Sequence, residues 1–150
     1  LEQDLSYIAI GKSEGAVLFC GGERVARETE GNFLTPALFI DTHDNMRINQ
    51  GEMFGPIASV IKVKNYDEAL NIANDTEFGL SAGIVTNSLK HASHFKRHSQ
   101  SGIAQVNLPT AGVDYHVPFG GTKSSSYGAR EQGQYAKEFY TTVKTSYTAS

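Results

Sequence analysis

The sequence predicts an α/β fold built on a parallel sheet, and two observations carry that prediction. From Ile57 onward, short runs rich in β-branched residues alternate with stretches whose apolar positions recur at helical spacing. Each changeover is marked by Gly, Asn, Asp or Ser, residues that cap helices and form turns. The 150 residues, 39% hydrophobic and 19% charged, suffice for one packed core and have an ordinary globular composition.

Leu1 to Lys12 reads as a helix with Leu5, Ile8 and Ala9 on one face, stopped by Gly11 and Gly15 before the strand-like run Ala16 to Cys20. Turns follow at Gly21-Gly22 and Gly31-Asn32, then a buried strand from Ala37 to Asp41 and a helical turn near Asn45 to Asn49. Ile57 to Val63 alternates as a strand does, and Asn65 and Asp67 offer cap oxygens for a helix from Tyr66 to Asn74. A strand from Ser81 to Thr86, a helix capped by Asn87 or Ser88 and running through His98, and a strand from Gly102 to Asn107 complete the alternation. A long Gly-, Pro- and Ser-rich loop leads to a short helix over Arg130 to Lys137. The tail Glu138 to Tyr147 places Phe139, Thr141, Val143, Thr145 and Tyr147 on one face of an extended segment, which needs a partner, either antiparallel in this chain or on another subunit.

The net charge of −3 comes from 16 acidic and 13 basic residues spread along the chain, a pattern that argues against a nucleic-acid partner. Apolar runs such as Pro36 to Ile40 are far shorter than the roughly 20 residues of a membrane helix, so no membrane partner is expected. A single cysteine, Cys20, forms no internal disulfide and fits a reducing compartment, so the expected location is the cytoplasm. The first residue is Leu1, already inside a helical pattern, and a piece of a longer protein is expected.

Glu52 stands before the turn Phe54-Gly55-Pro56. A carboxylate beside a rigid turn and a ring suits sugar hydroxyls and a flat heterocycle, but taken alone the pair reads more readily as a solvated loop acid and a core plug. Cys20 ends an apolar run without a basic neighbour, which suggests a buried, unreactive thiol. His91, His94 and His98 share a helical face but are interleaved with Lys90, Lys96 and Arg97, so a hydrated cationic face is expected there and no metal. Asp114 and His116 lack the G-x-S-x-G elbow of a hydrolase. GGTKSSS superficially looks like a phosphate loop, yet Thr122 stands where glycine must precede the lysine.

Glu52-Met53-Phe54-Gly55-Pro56, together with Pro118-Phe119-Gly120-Gly121-Thr122-Lys123, resembles the C-terminal signatures of the aldehyde dehydrogenase superfamily. The resemblance extends over Ser101 to Gly133, over Ala73 to Thr76 with Gly79 to Gly83, and over the tail TTVKT at Thr141 to Thr145, covering nearly the whole chain. It implies the latter part of a catalytic α/β domain over 1–137 and an oligomerisation-sheet strand with its tail over 138–150. It also implies NAD or NADP as cofactor, with Glu52 on the nicotinamide ribose hydroxyls and Phe54 beside the nicotinamide. Phe119 matches the aromatic wall of the aldehyde tunnel, and Leu108, Pro109 and Thr110 fall where substrate-selecting residues lie.

Many relatives read K-x-S-G-x-G-R-E after the double glycine, whereas this chain carries one more residue between Lys123 and Arg130. SSSYGAREQGQYAKEFYTTVKT looks closest to the branch that oxidises α-ketoglutaric semialdehyde (2,5-dioxopentanoate). The resemblance implies an aldehyde substrate, the missing N-terminal part of the same enzyme as partner, and a homo-oligomer, dimer or tetramer. No bond-making group is expected in the chain, so the piece alone is expected to be inactive. The alternative is a non-catalytic fragment that keeps only the assembly surface of the tail.

Overall fold

The computed structural model describes residues 1–149, which divide into two compact units, Leu1–Glu68 and a second beginning at Ala69. Parallel strand pairing is present in both units, as the alternation predicts, but among the described residues the strands form two sheets and the pairing of the first two strands is antiparallel.

The first unit opens with α1 (Glu2–Ser13), whose acidic first turn and basic Lys12 in the last turn both complement the helix dipole. Its buried stripe is Asp4, Ile8 and Gly11, and Ala9, expected on that face, is exposed. Gly11 does not stop the helix. It lies inside it because the helix packs close there: a Cβ at Gly11 would stand 3.1 Å from two Phe39 ring carbons and 3.2 Å from Ile48 Cγ2. The stop is made at Gly15, with φ +90°, whose N–H donates to the Lys12 carbonyl.

Strand β1 (Val17–Cys20) runs antiparallel to β2 (Ala37–Thr42), which runs parallel to β3 (Ile57–Ile61), giving the order β1-β2-β3. Between β1 and β2 the chain extends the antiparallel pairing through an Arg24–Leu34 bridge, which the turn signals alone did not disclose. The register shifts between Leu18 and Cys20, leaving Phe19 without a partner on β2. Helix α2 (Arg47–Gln50) receives its start from α1's end, where the Glu14 carboxylate accepts the Arg47 N–H at 2.9 Å. Phe39, at 0% exposure, and Ile48 are the largest fully buried side chains, with Ile8, Ala16, Ala37 and Met46 around them.

Helix α3 (Tyr66–Asn74) has the expected bounds, and its cap is Asn65, whose Oδ1 accepts the Glu68 N–H at 2.9 Å while Glu68 Oε2 accepts the Lys64 N–H at 2.7 Å. In the second unit, β4 (Ser81–Ile84) and β5 (Ile103–Val106) pair in parallel, Ser81 opposite Ile103 through Ile84 opposite Val106, and α4 (Leu89–His98) makes the crossover. Ser88 caps α4 by accepting the His91 N–H at 3.3 Å, and Phe95 is the buried residue of its inner face. After the long loop come two 3₁₀ turns, Lys123–Ser125 and Gly133–Tyr135, and α5 (Ala136–Tyr140).

Two expectations for the end of the chain are corrected. The helix expected over Arg130 to Lys137 begins later, because Phe119 and Glu131 pair as an antiparallel bridge and hold Arg130 and Glu131 extended. The extended tail expected from Glu138 starts only after Tyr140, and 141–149 joins no ladder among the described residues. An edge-type segment without a second strand has no partner for its N–H and C=O groups, so its first residues take the local bonds of a helix.

The close approach of α1 to Phe39 yields a test. Gly11→Val is expected to lower stability by about 2 kcal/mol, the usual scale of overpacking. Gly11→Ala should cost less, because alanine returns up to about 1 kcal/mol of helix propensity. Urea denaturation midpoints check the order; unchanged midpoints would show that Phe39 yields freely.

Candidate functional site

The loop after α2 is drawn tight at both ends. At Gly51 a Cβ would lie 2.6 Å from the Tyr7 hydroxyl, and at Gly55 a Cβ would lie 2.0 Å from Asp4 Oδ1, so any other residue there requires the Tyr7 or Asp4 side chain of α1 to move. The Glu52 carbonyl accepts Gln3 Nε2 at 3.2 Å, and the Pro56 carbonyl accepts the Ala37 N–H at 2.9 Å as the chain enters β3. Met53 packs against the core cluster and does the plugging that Phe54 would do if its ring were turned inward.

Phe54 itself is 89% exposed. Its φ of +43° puts a bulky aromatic residue in the left-handed region, a sterically disfavoured state for any side chain with a Cβ. The adjacent Glu52 side chain is also exposed, and its carboxylate makes no ion pair among the described residues. The loop thus spends its main-chain bonds on α1 and β2 and turns one acid and one ring outward, a pairing able to accept hydroxyl protons and cover a flat heterocycle.

In the second unit the candidates follow the C-terminal end of β5, the end at which parallel sheets of α/β proteins bind ligands. Asn107, at φ +56°, closes the β4–β5 pair: its Oδ1 accepts the Thr86 N–H at 2.8 Å and its Nδ2 donates to the Thr86 carbonyl at 2.9 Å. Leu108, Pro109 and Thr110 then emerge exposed, Leu108 at 64%. Thr110 is tethered by its carbonyl, which accepts Ser81 Oγ at 3.3 Å. Phe119 is half-buried, and its backbone exchanges two 2.7 Å hydrogen bonds with Glu131. Gln105 and Gln132 each carry a buried amide oxygen without a hydrogen-bond partner.

Other residues singled out in the sequence sit as follows. Cys20 is exposed, against the expectation of burial: it ends the edge strand β1 beyond the register shift at Phe19, where no further strand among the described residues covers it. His94 and His98 stack with ring centroids 4.0 Å apart, and among the described residues no group of three potential ligands is placed to hold a metal. Lys123 Nζ donates to the carbonyls of Asn74 and Thr76 at 2.5 and 2.9 Å, so the lysine of GGTKSSS is occupied with main chain. That use of Lys123, and the closing role of Asn107, were missed in the sequence; Gly and Asn at turns signal left-handed backbone, but a lysine gives no such signal. No helix among the described residues is long and apolar enough to cross a membrane.

Comparison with known proteins is consistent over nearly the whole chain. The aldehyde dehydrogenase family model matches residues 1–146. The chain is 45% identical over 147 residues to the alpha-ketoglutaric semialdehyde dehydrogenase of Bacillus subtilis, covering 97% of this chain and 30% of that protein. It is 47% identical to the alpha-ketoglutarate semialdehyde dehydrogenase of Haloferax volcanii, covering 98% of this chain and 31% of that one. Among solved structures, the indole-3-acetaldehyde dehydrogenase of P. syringae in complex with NAD+ and IAA superimposes with a TM-score of 0.89 at 39% identity, over 95% of this chain and 28% of that one. The aldehyde dehydrogenase KauB from Pseudomonas aeruginosa gives a TM-score of 0.89 at 38% identity, again over 95% and 28%. The chain therefore spans about 30% of the length of the curated relatives it matches. With a family model matched across residues 1–146, the chain belongs to the aldehyde dehydrogenase family.

Proposed function

We propose that this chain is the C-terminal part of an NAD(P)-dependent enzyme that oxidises an aldehyde to a carboxylic acid, with a semialdehyde such as 2,5-dioxopentanoate as its substrate. The observation that carries the reading is the Glu52–Phe54 pair: an exposed acid and an exposed ring held outward, at a backbone cost, by a loop bonded tightly beneath. The relatives named for α-ketoglutaric semialdehyde, and a solved neighbour in complex with NAD+, support the choice of substrate and cofactor.

The nicotinamide group, when bound, accepts the hydride lost by the substrate carbon. Glu52 accepts hydrogen bonds from the nicotinamide ribose hydroxyls, its two oxygens suiting two neighbouring donors, and Phe54 covers the nicotinamide and limits access of water. Phe119 forms the aromatic wall for the aldehyde, and Leu108, Pro109 and Thr110 set its size, since they are exposed on a loop whose root is closed by Asn107. The chain's own residues thus bind and orient, and the nucleophilic thiol and the water-activating acid are supplied by the rest of the enzyme. Residues 1–137 belong to the catalytic domain and 138–150 to the oligomerisation segment, whose extended part follows α5 after Tyr140; exposure of Val143 and Tyr147 supports a subunit partner for the tail.

Two outcomes check the proposal. In the full-length protein, Glu52→Gln should reduce kcat/KM for the cofactor by about tenfold or more, the scale of a hydrogen bond to a charged group, with a smaller change in KM for the aldehyde. An unchanged cofactor dependence would remove Glu52 from the site. The 150-residue chain alone, assayed on 2,5-dioxopentanoate, succinic semialdehyde and aliphatic aldehydes with NAD+ and NADP+, should show no turnover. Turnover by the chain alone would show that Cys20 is the nucleophile and overturn the assignment of the chemistry to the rest of the enzyme.

A further inference from the structure

We propose that Lys123 is a positioning residue for the aldehyde wall: its ammonium clamps the loop that carries Phe119 onto the C-terminal end of α3. The inference rests on the reading of Phe119 as that wall.

The clamp is built entirely within the second unit. Lys123 Nζ donates to the Asn74 carbonyl at 2.5 Å and to the Thr76 carbonyl at 2.9 Å. These carbonyls lie at and just beyond the last turn of α3, where the helix leaves its acceptors unpaired and its dipole favours a cation. The flanking residues bind the same turn. The Ser124 N–H donates to the Glu77 carbonyl at 2.9 Å, the Thr122 N–H donates to the Gly79 carbonyl at 2.9 Å, and Ser125 Oγ accepts the Gly79 N–H at 2.9 Å. Asn74 in turn ties α3 to the end of α4, its Nδ2 donating to the His98 carbonyl at 3.0 Å and its Oδ1 accepting the Gln100 N–H at 2.9 Å.

From this anchor to Phe119 the chain has little freedom. Gly120 and Gly121 are both buried, the Gly121 N–H donates to Ser126 Oγ at 2.6 Å, and the Gly121 carbonyl accepts from the Arg130 guanidinium. Phe119 is then fixed by its paired bonds to Glu131. The lysine also sits at φ +52°, a left-handed conformation that a side chain with a Cβ disfavours. Glycine would adopt it without cost, so conformation alone does not account for a lysine here; the two carbonyl bonds of the amine do. An ammonium occupied in this way serves the loop and is withdrawn from any substrate carboxylate.

The conformation supplies a well-behaved variant. Lys123→Gly relieves the backbone strain and removes the amine, so the turn should still form, whereas Lys123→Met removes the amine and keeps the strain. Both are made in the full-length enzyme beside Phe119→Ala and Lys123→Arg. The expected result for Lys123→Gly and Lys123→Met is a rise of about tenfold in KM for the aldehyde, the scale of losing a hydrogen bond from a charged group, and a narrowed ratio of kcat/KM between bulky and small aldehydes. KM for the cofactor should stay within about twofold, because uniform damage would move both constants. Lys123→Arg should restore most of the discrimination.

If Phe119→Ala alters aldehyde kinetics and selectivity while both lysine variants leave them unchanged, the clamp is wrong and the wall reading stands. If Phe119→Ala itself leaves aldehyde kinetics and selectivity unchanged, the wall reading fails and the inference falls with it. If neither lysine variant yields folded enzyme, Lys123 holds up the unit as a whole, and the local positioning role is overturned.

Discussion

The second unit depends on the junction of three chain segments at Gly79, whose peptide groups bind the other two. Its carbonyl accepts the N–H groups of Gly102 and Thr122, each at 2.9 Å, and its N–H donates to Ser125 Oγ at 2.9 Å. A Cβ at this position would stand 2.3 Å from Thr122 Oγ1, so the three segments meet only because residue 79 has no side chain. One of these bonds starts the β4–β5 register, and the others seat the double-glycine loop. Buried peptide groups that lose a partner cost more than an average hydrogen bond contributes, which makes such a junction a rigid origin for the loops that leave it.

The first unit solves a similar problem by close approach to a buried acid. Asp4, on the inner stripe of α1, lies where a side chain at Gly55 would have to be, and the loop from Gly51 to Pro56 is pressed between that contact and the Ala37 N–H. With the backbone so held, successive side chains take opposite directions: Met53 enters the core and Phe54 leaves it. An exposed aromatic ring in a left-handed conformation has no account in packing. It has one if a ligand covers it.

Much of this was legible in the sequence where local chemistry decides the structure. Asn65 and Ser88 cap the helices that follow them, and the apolar positions of Tyr66–Asn74 give that helix its bounds. The two glycine-containing motifs located both loops that carry the candidate residues. What could not be read depends on contacts far apart in sequence. Gly11 looks like a helix stop until Phe39 is seen to need the space, and Cys20 looks buried until β1 is found at a sheet edge with a register shift before it. The tail pattern reads as strand from Glu138, yet Phe139 and Tyr140 belong to α5, since alternation cannot choose between a strand and a helical turn when no pairing partner is at hand. Lys123 was missed because its acceptors, Asn74 and Thr76, lie more than forty residues earlier.

The central claim is that the Glu52–Phe54 loop is a cofactor wall, and a crystal structure of the full-length protein with NAD+ tests it most directly. The account predicts a Glu52 carboxylate oxygen about 2.5–3.0 Å from a hydroxyl of the nicotinamide ribose, with the Phe54 ring against the nicotinamide. A bound cofactor whose ribose hydroxyls are held by other residues, with Glu52 and Phe54 still facing solvent, would contradict it.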